Sequence, residues 1–211
     1  MYFMACLLVC RPWLAKRRYV TLLEPFHFFW KPPPPGEIDV IEGANNARTN
    51  TYTLHTGPGC SVPSPPNSPG RGSISCDSSG NDNGCSYPDN NPESYGVNFN
   101  NGGGGVYAHV WNDEGITIYR FPRSSIPADI VAKQPNPSTW GSPAAFFPST
   151  DCDMSSHFRQ NSLVLDTTIC GDLGDATYSS TGCPGTCAEG VSNLANFQSE
   201  PSFWIDDINT E

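Results

Sequence analysis

The chain has 211 residues, a formal charge of −10, only 15% charged side chains, and 20 glycines with 21 prolines. That length suits one domain with a sizeable core. The acidic balance argues against nucleic acid as a partner, since phosphate recognition needs a basic patch, and no apolar run is long enough to span a bilayer.

The first 35 residues stand apart in composition, with five basic residues and one acid (net +4), against six basic and twenty acidic (net −14) in the other 176. The opening Met1 to Cys10 stretch is apolar, yet its basic cluster, Lys16-Arg17-Arg18, follows that stretch instead of preceding it. A secretory signal has the opposite order, so none is expected to work here. Residues 1–35 are therefore expected to be an atypical segment outside a single domain covering 36–211.

After the Pro32 to Pro35 run comes Gly36-Glu37-Ile38-Asp39-Val40-Ile41-Glu42-Gly43, three carboxylates within six residues separated by β-branched side chains. Those residue types favour a strand, and proline and glycine punctuate both ends. Strict alternation would put Glu37 and Asp39 on one face and Glu42 on the other. One extra residue, a β-bulge, returns Glu42 to the face of Glu37 and Asp39. Ile38 and one of Val40 or Ile41 then point into a core.

Short alternating runs follow at Thr53 to His55, Gly105 to Trp111, Gly115 to Tyr119 and Ser162 to Asp166, with turn residues between them. This pattern predicts an all-β fold, a β-sandwich or jelly roll. Residues 61–94, rich in Ser, Pro, Asn, Asp and Gly and holding Cys76 and Cys85, read as a long disulfide-tied loop. The Gly102 to Gly105 run is a turn entering a strand; no helix or lysine follows to make it a phosphate cradle. His109 and Trp111 share a strand face, where Trp111 either stacks on a sugar ring or fills core.

Nine cysteines point to an oxidising compartment. Cys152 with Cys170, flanking a predicted strand, is the first pairing expected. Cys183 and Cys187 lack the second pair that a zinc site needs, and a disulfide partner for each is expected. The four histidines are scattered, without the context of a zinc site or a serine-type triad. No metal or other cofactor is expected in the chemistry; Asp172, Asp175, Asp206 and Asp207 are surface acids that would also suit calcium.

Three neighbouring carboxylates repel one another, and two-carboxylate glycoside hydrolysis gives a reason to keep them. A retaining enzyme holds nucleophile and proton donor with carboxyls ~5–5.5 Å apart. The α-carbons of Glu37 and Glu42 would lie roughly 13 Å apart along a strand, a gap that curvature and two inward-leaning side chains can close. Asp39 between them would hold a proton and tune the pair.

The acidic strand, with Thr53-Leu54-His55-Thr56, Pro58-Gly59-Cys60, Phe121-Pro122-Arg123-Ser124-Ser125-Ile126-Pro127, Trp140-Gly141-Ser142-Pro143, Cys152-Asp153, Cys170-Gly171-Asp172 and Cys183-Pro184-Gly185-Thr186-Cys187, resembles the laminarinase-type branch of glycoside hydrolase family 16. The likeness runs in order from about residue 30 to 208. It implies a curved two-sheet jelly roll of concanavalin A type with a cleft on its concave face. It implies that Glu37 is the nucleophile, Glu42 the acid and base, and Asp39 the residue between them. His55 would donate near the nucleophile or a sugar hydroxyl, and Trp30 and Trp111 are candidates for substrate contact.

The implied activity is endo-acting, retaining hydrolysis of β-1,3- or mixed β-1,3/1,4-glucan, by a monomer that acts outside the cell or at the cell wall. β-Glucan is then the partner, with neither nucleic acid nor membrane. Relatives of this type carry further strands before the acidic one, so an incomplete domain and an N-terminally truncated product are expected. The alternatives are an inactive, lectin-like glucan binder and a cell-wall transglycosylase using the same acids.

Overall fold

A computed structural model describes residues 2–7, 16–23, 36–65, 72–80, 83–159, 161–193 and 203–209. The chain opens with strands β1 (Tyr2–Leu7), β2 (Lys16–Leu23), β3 (Glu37–Gly43) and β4 (Thr51–His55). The short strands β5 (Ser61–Pro63), β6 (Ser73–Ser75) and β7 (Cys85–Pro88) follow, then helix α1 (Gly96–Asn101) and the hairpin of β8 (Gly105–Asn112) and β9 (Gly115–Pro122). Beyond it lie α2 (Ala128–Val131), β10 (Ala145–Pro148), α3 (Met154–His157) and β11 (Ser162–Ile169). Helices α4 (Gly171–Thr177) and α5 (Cys187–Ser192) precede the last strand, β12 (Phe203–Asn209).

Ten of these strands form two five-stranded sheets, in the orders β10-β9-β8-β1-β12 and β11-β2-β3-β4-β7. All the pairings are antiparallel. The basic N-terminal segment supplies a strand to each: β1 lies between β8 and β12, and β2 between β11 and β3. The architecture is the all-β sandwich that the alternating runs predict.

The facing sheets enclose one core. Ile38, Val40, Ile41, Tyr52 and Leu54 enter it from β3 and β4, and Tyr107, Ile116, Ile118 and Phe147 from the other sheet. Removing each of these side chains from water stabilises the fold by about 1.5–3 kcal/mol. Val40 and Ile41 are both buried, at 0% and 2% exposure, where one of them was expected inside. The bulge explains it, because both residues together face the single partner Tyr52 and neither is forced to the outer side.

A smaller apolar cluster covers the outer face of the β8-β9 hairpin, where Val106 and Ala108 meet Trp140. The Trp140 indole N–H donates to Asp129 Oδ2 at 2.8 Å, so its polar edge is satisfied.

Among the described residues, three disulfides join Cys60 to Cys152, Cys76 to Cys85, and Cys170 to Cys187. The expected Cys152–Cys170 bridge is therefore wrong. Cys152 instead lies against Cys60, α-carbons 4.1 Å apart, while Cys170, beyond the eight residues of β11, comes within 5.8 Å of Cys187, both inside the roughly 7 Å that a disulfide needs. Cys187 finds Cys170, and Cys183, also expected in a bridge, is a buried free thiol. The expected Cys76–Cys85 tie is present, but residues 61–94 are not one long loop: they hold β5, β6 and β7, and the bridge joins the end of β6 to the start of β7.

Candidate active site

Register fixes where the three acids point. Glu37 pairs with His55, Ile38 with Leu54 and Asp39 with Thr53, after which the register shifts and Glu42 pairs with Thr51. Directly opposed residues on antiparallel strands project to the same side. Thr51, Thr53 and His55 are two apart on β4 and share a face, so Glu37, Asp39 and Glu42 share it too. The same shift recurs against β2, where Val20 opposes Ile41 and Thr21 opposes Asp39. The bulge inferred from the spacing of the acids is present, at Val40.

That shared face is the outer side of the sheet, away from the core. Asp39 is 1% exposed and is held by His55, whose Nε2 stands 3.1 Å from Asp39 Oδ2. The other ring nitrogen, Nδ1, lies 2.8 Å from Ser78 Oγ in the loop before β7, so both edges of the imidazole are fixed. Thr53 donates its hydroxyl to Glu42 Oε2 at 3.0 Å, and its oxygen lies 3.0 Å from Ser86 Oγ on β7. Asp39 and Glu42 thus each have a neighbour restricting the rotamer.

Asn50, fully buried just before β4, reaches back to the bulge. Its Oδ1 accepts from the Glu42 backbone N–H at 2.8 Å, and its Nδ2 donates to the Val40 carbonyl at 2.9 Å. Its own N–H donates to Ser94 Oγ at 2.9 Å, and its carbonyl accepts from the Asp89 N–H at 2.9 Å. Asp89 accepts in turn from Tyr52 Oη at 2.7 Å and from Arg120 Nε at 3.1 Å. Burial first, then the neighbouring Tyr107 and Asp89, pushes the Tyr52 phenol well above its ordinary range, so it stays a donor. For Arg120, burial works against the charge, but the bond to Asp89 and its carboxylate hold the guanidinium protonated and raise it overall.

A cleft of about 600 Å³ opens on this side of the sheet. Glu42, Thr51, Thr53 and His55 line its sheet wall, and Asp172, Leu173, Ala176 and Thr177 of α4 line the opposite one. The turn after β3 ties α4 down, since Asn45 Nδ2 donates to the Gly174 carbonyl at 2.8 Å and to Thr177 Oγ1 at 2.9 Å. Threonines and Ser86 alternate with apolar residues along the cleft, and their hydroxyls can exchange hydrogen bonds with sugar hydroxyls.

Not every candidate gathers here. Trp30 lies outside the described residues. Trp111 falls on the odd-numbered face of β8 with Tyr107, which packs into the inter-sheet core. At the strand end it is 38% exposed and edge-on to Phe158 at 6.1 Å, so it does not line the cleft beside the acids. Its neighbour on that face, His109, is buried. Asp172 belongs to the cleft wall; Asp175 lies near Cys170 and Cys187, whose sulfurs are joined to each other and offer no thiolate to a metal. Thr53, Ser78, Ser86 and Asn50 carry weight that the sequence did not disclose. Only Thr53, two residues from His55 on a strand, had a periodicity that pointed to it.

A family model described as an XgeA-like, catalytic GH16 domain matches residues 27–209. The chain is 41% identical over 190 residues to a probable glycosidase of Schizosaccharomyces pombe, covering 82% of this chain and 42% of that protein. It is 38% identical over 154 residues to an endo-1,3(4)-beta-glucanase of Arthroderma benhamiae, covering 69% of this chain and 33% of that one. The chain thus spans less than half the length of these two relatives.

Among solved structures, laminarinase 16A of Phanerochaete chrysosporium, with beta-glucans in donor and acceptor sites, superposes with a TM-score of 0.81 at 31% identity. That match covers 97% of this chain and 69% of the laminarinase, and it identifies the sandwich as a jelly roll. An elongating family 16 beta-1,3-glucosyltransferase matches with a TM-score of 0.77 at 30% identity, covering 97% of this chain and 69% of that chain.

Proposed function

The chain belongs to glycoside hydrolase family 16, and from that premise we propose that it cleaves β-1,3- or mixed β-1,3/1,4-glucan internally, with retention of anomeric configuration. The observation that carries this reading is the bulge at Val40, which sets Glu37, Asp39 and Glu42 on one face beside the cleft.

Glu37, as carboxylate, attacks the anomeric carbon while the bond to the leaving oxygen breaks. Glu42 gives that oxygen its proton, and a glycosyl ester on Glu37 results. Glu42, now a carboxylate, takes a proton from water, whose oxygen attacks the same carbon and releases Glu37. Asp39, gripped by His55, sits between the two and orders their charges. A sugar hydroxyl in place of that water gives transglycosylation with the same residues; the likeness to an elongating glucosyltransferase favours this as the second reading. Three disulfides suit an extracellular or cell-wall enzyme.

The test is reducing-sugar release from a β-1,3-glucan by the wild type, Glu37→Ala and Glu42→Ala, with product chromatography and proton NMR of the first anomer formed. The expected result is β-anomer product from the wild type and none from either variant. Unchanged turnover in a variant would remove its assignment, lengthened products would favour transfer, and glucan binding without product would favour a lectin.

A further inference from the structure

We infer that Asn50 is a positioning residue for the general acid, with its side-chain amide standing in for the strand backbone that the bulge displaces; this rests on the hydrolase reading of Glu42. The bulge is what turns Glu42 toward Glu37, and a bulge interrupts the ladder where it occurs. At that interruption the Asn50 carboxamide accepts from Glu42 N–H and donates to the Val40 carbonyl, as a peptide unit of a neighbouring strand would. One group must both donate and accept there. Aspartate only accepts, a serine hydroxyl is too short to reach both, and an aliphatic residue does neither.

The amide is itself immobilised. Asn50 is 0% exposed, and its backbone bonds to Ser94 and Asp89 link it through Asp89 to Tyr52 and Arg120. Ser94 is buried as well, and its carbonyl accepts from Tyr107 Oη on the opposite sheet. Bulge geometry, and with it the direction of the Glu42 carboxylate, is therefore set by a buried polar network that spans the sandwich and has no member lining the cleft. A network of this kind in a low-dielectric interior specifies one conformation strongly when all its members are satisfied.

A defect in proton donation has a kinetic signature that a general loss of structure lacks. Asn50→Ala and Asn50→Asp should lower kcat/KM on β-1,3-glucan about 100-fold, in the range that general acid catalysis supplies. On a glucan oligosaccharide with a dinitrophenyl leaving group, which departs without a proton, kcat/KM should stay within about threefold of wild type. Val62→Ala, in the core on β5 and outside the β3–β4 pair, serves as the control for destabilisation and should lower both substrates equally or neither. Asn50→Asp keeps the bond to Glu42 N–H, so it tests the idea should Asn50→Ala not fold.

Equal losses on the two substrates, or no loss on glucan, overturn the inference. A wild type that hydrolyses neither substrate sinks the hydrolase reading instead. The crystal structure of Asn50→Asp then decides the clip alone. Loss of the 3.0 Å Thr53–Glu42 hydrogen bond supports it, and an unmoved Glu42 overturns it.

Discussion

His55 Nε2 stands 3.1 Å from Asp39 Oδ2, across the β3–β4 pair and two residues out of direct register. The diagonal reach is possible because the imidazole is anchored at its far nitrogen by Ser78, 2.8 Å away. Removing it frees Asp39 and opens space beside the nucleophile. His55→Ala is expected to lower kcat on β-glucan by about 10- to 100-fold, the effect of misplacing a reacting group by about 1 Å, with KM within about twofold. Ser78→Ala should produce a smaller loss in the same direction. Steady-state kinetics on both variants checks this, and a His55→Ala enzyme with full kcat would show that the pair is only structural.

Gly84 lies directly behind that histidine. Its φ is +57°, and a Cβ there would meet the Leu54 carbonyl and come within 2.8 Å of His55 Nδ1. The left-handed backbone alone costs an L-residue about 1–2 kcal/mol, and the neighbour in the way is rigid strand backbone. Gly84→Ala should therefore lower the melting temperature and also displace the imidazole from Ser78, reducing kcat at temperatures where the variant is fully folded. Paired thermal melts and rates measure the two effects separately.

The acidic strand was legible because its chemistry and its geometry are both local: three carboxylates spaced two and three apart demand a bulge if they are to act together, and β-branched neighbours demand a strand. The sandwich class was legible from period-two runs such as Gly105 to Trp111. Asn50 was not, because an asparagine soon after Asn45 and Asn46 looks like one more turn residue, and its role exists only once the chain has folded back on β3. Trp111 was ambiguous for a related reason. Period two placed it with His109 but did not say which side of β8 faces the other sheet. The partner of Cys152 is 92 residues away in sequence, so no local pattern could name Cys60.

The Cys170–Cys187 disulfide differs from the other two in exposure. Cys60, Cys76, Cys85 and Cys152 are all buried at 2% or less, whereas Cys170 is partly open to solvent. Access governs thiol–disulfide exchange, so a mild reductant should open this bridge first, seen as alkylation of Cys170 and Cys187 before the rest by peptide mass mapping. The bridge closes a 17-residue loop, worth about 3 kcal/mol in the chain-entropy view. That loop carries α4, one wall of the cleft. The double variant Cys170→Ala/Cys187→Ala should melt at lower temperature and show a raised KM for glucan, with kcat changed far less. A fall in kcat at constant KM would place the effect on the acids instead.

His109 makes the fold sensitive to acid. Its burial in the core lowers the imidazole from the usual 6.5 to about 3, so the native state keeps it neutral. The unfolded chain protonates it below pH 6.5, and between that value and about 3 the unfolded state binds the extra proton. Stability from this residue is therefore complete above pH 6.5 and is lost as pH falls toward 3. Each unit in that window shifts the folded-to-unfolded ratio by up to about tenfold. Urea unfolding at pH 7 and at pH 4.5 should show the wild type losing stability, and His109→Gln, which cannot take a proton, losing distinctly less over the same interval. Equal losses in the two proteins would move the acid sensitivity to other groups and leave His109 neutral in both states.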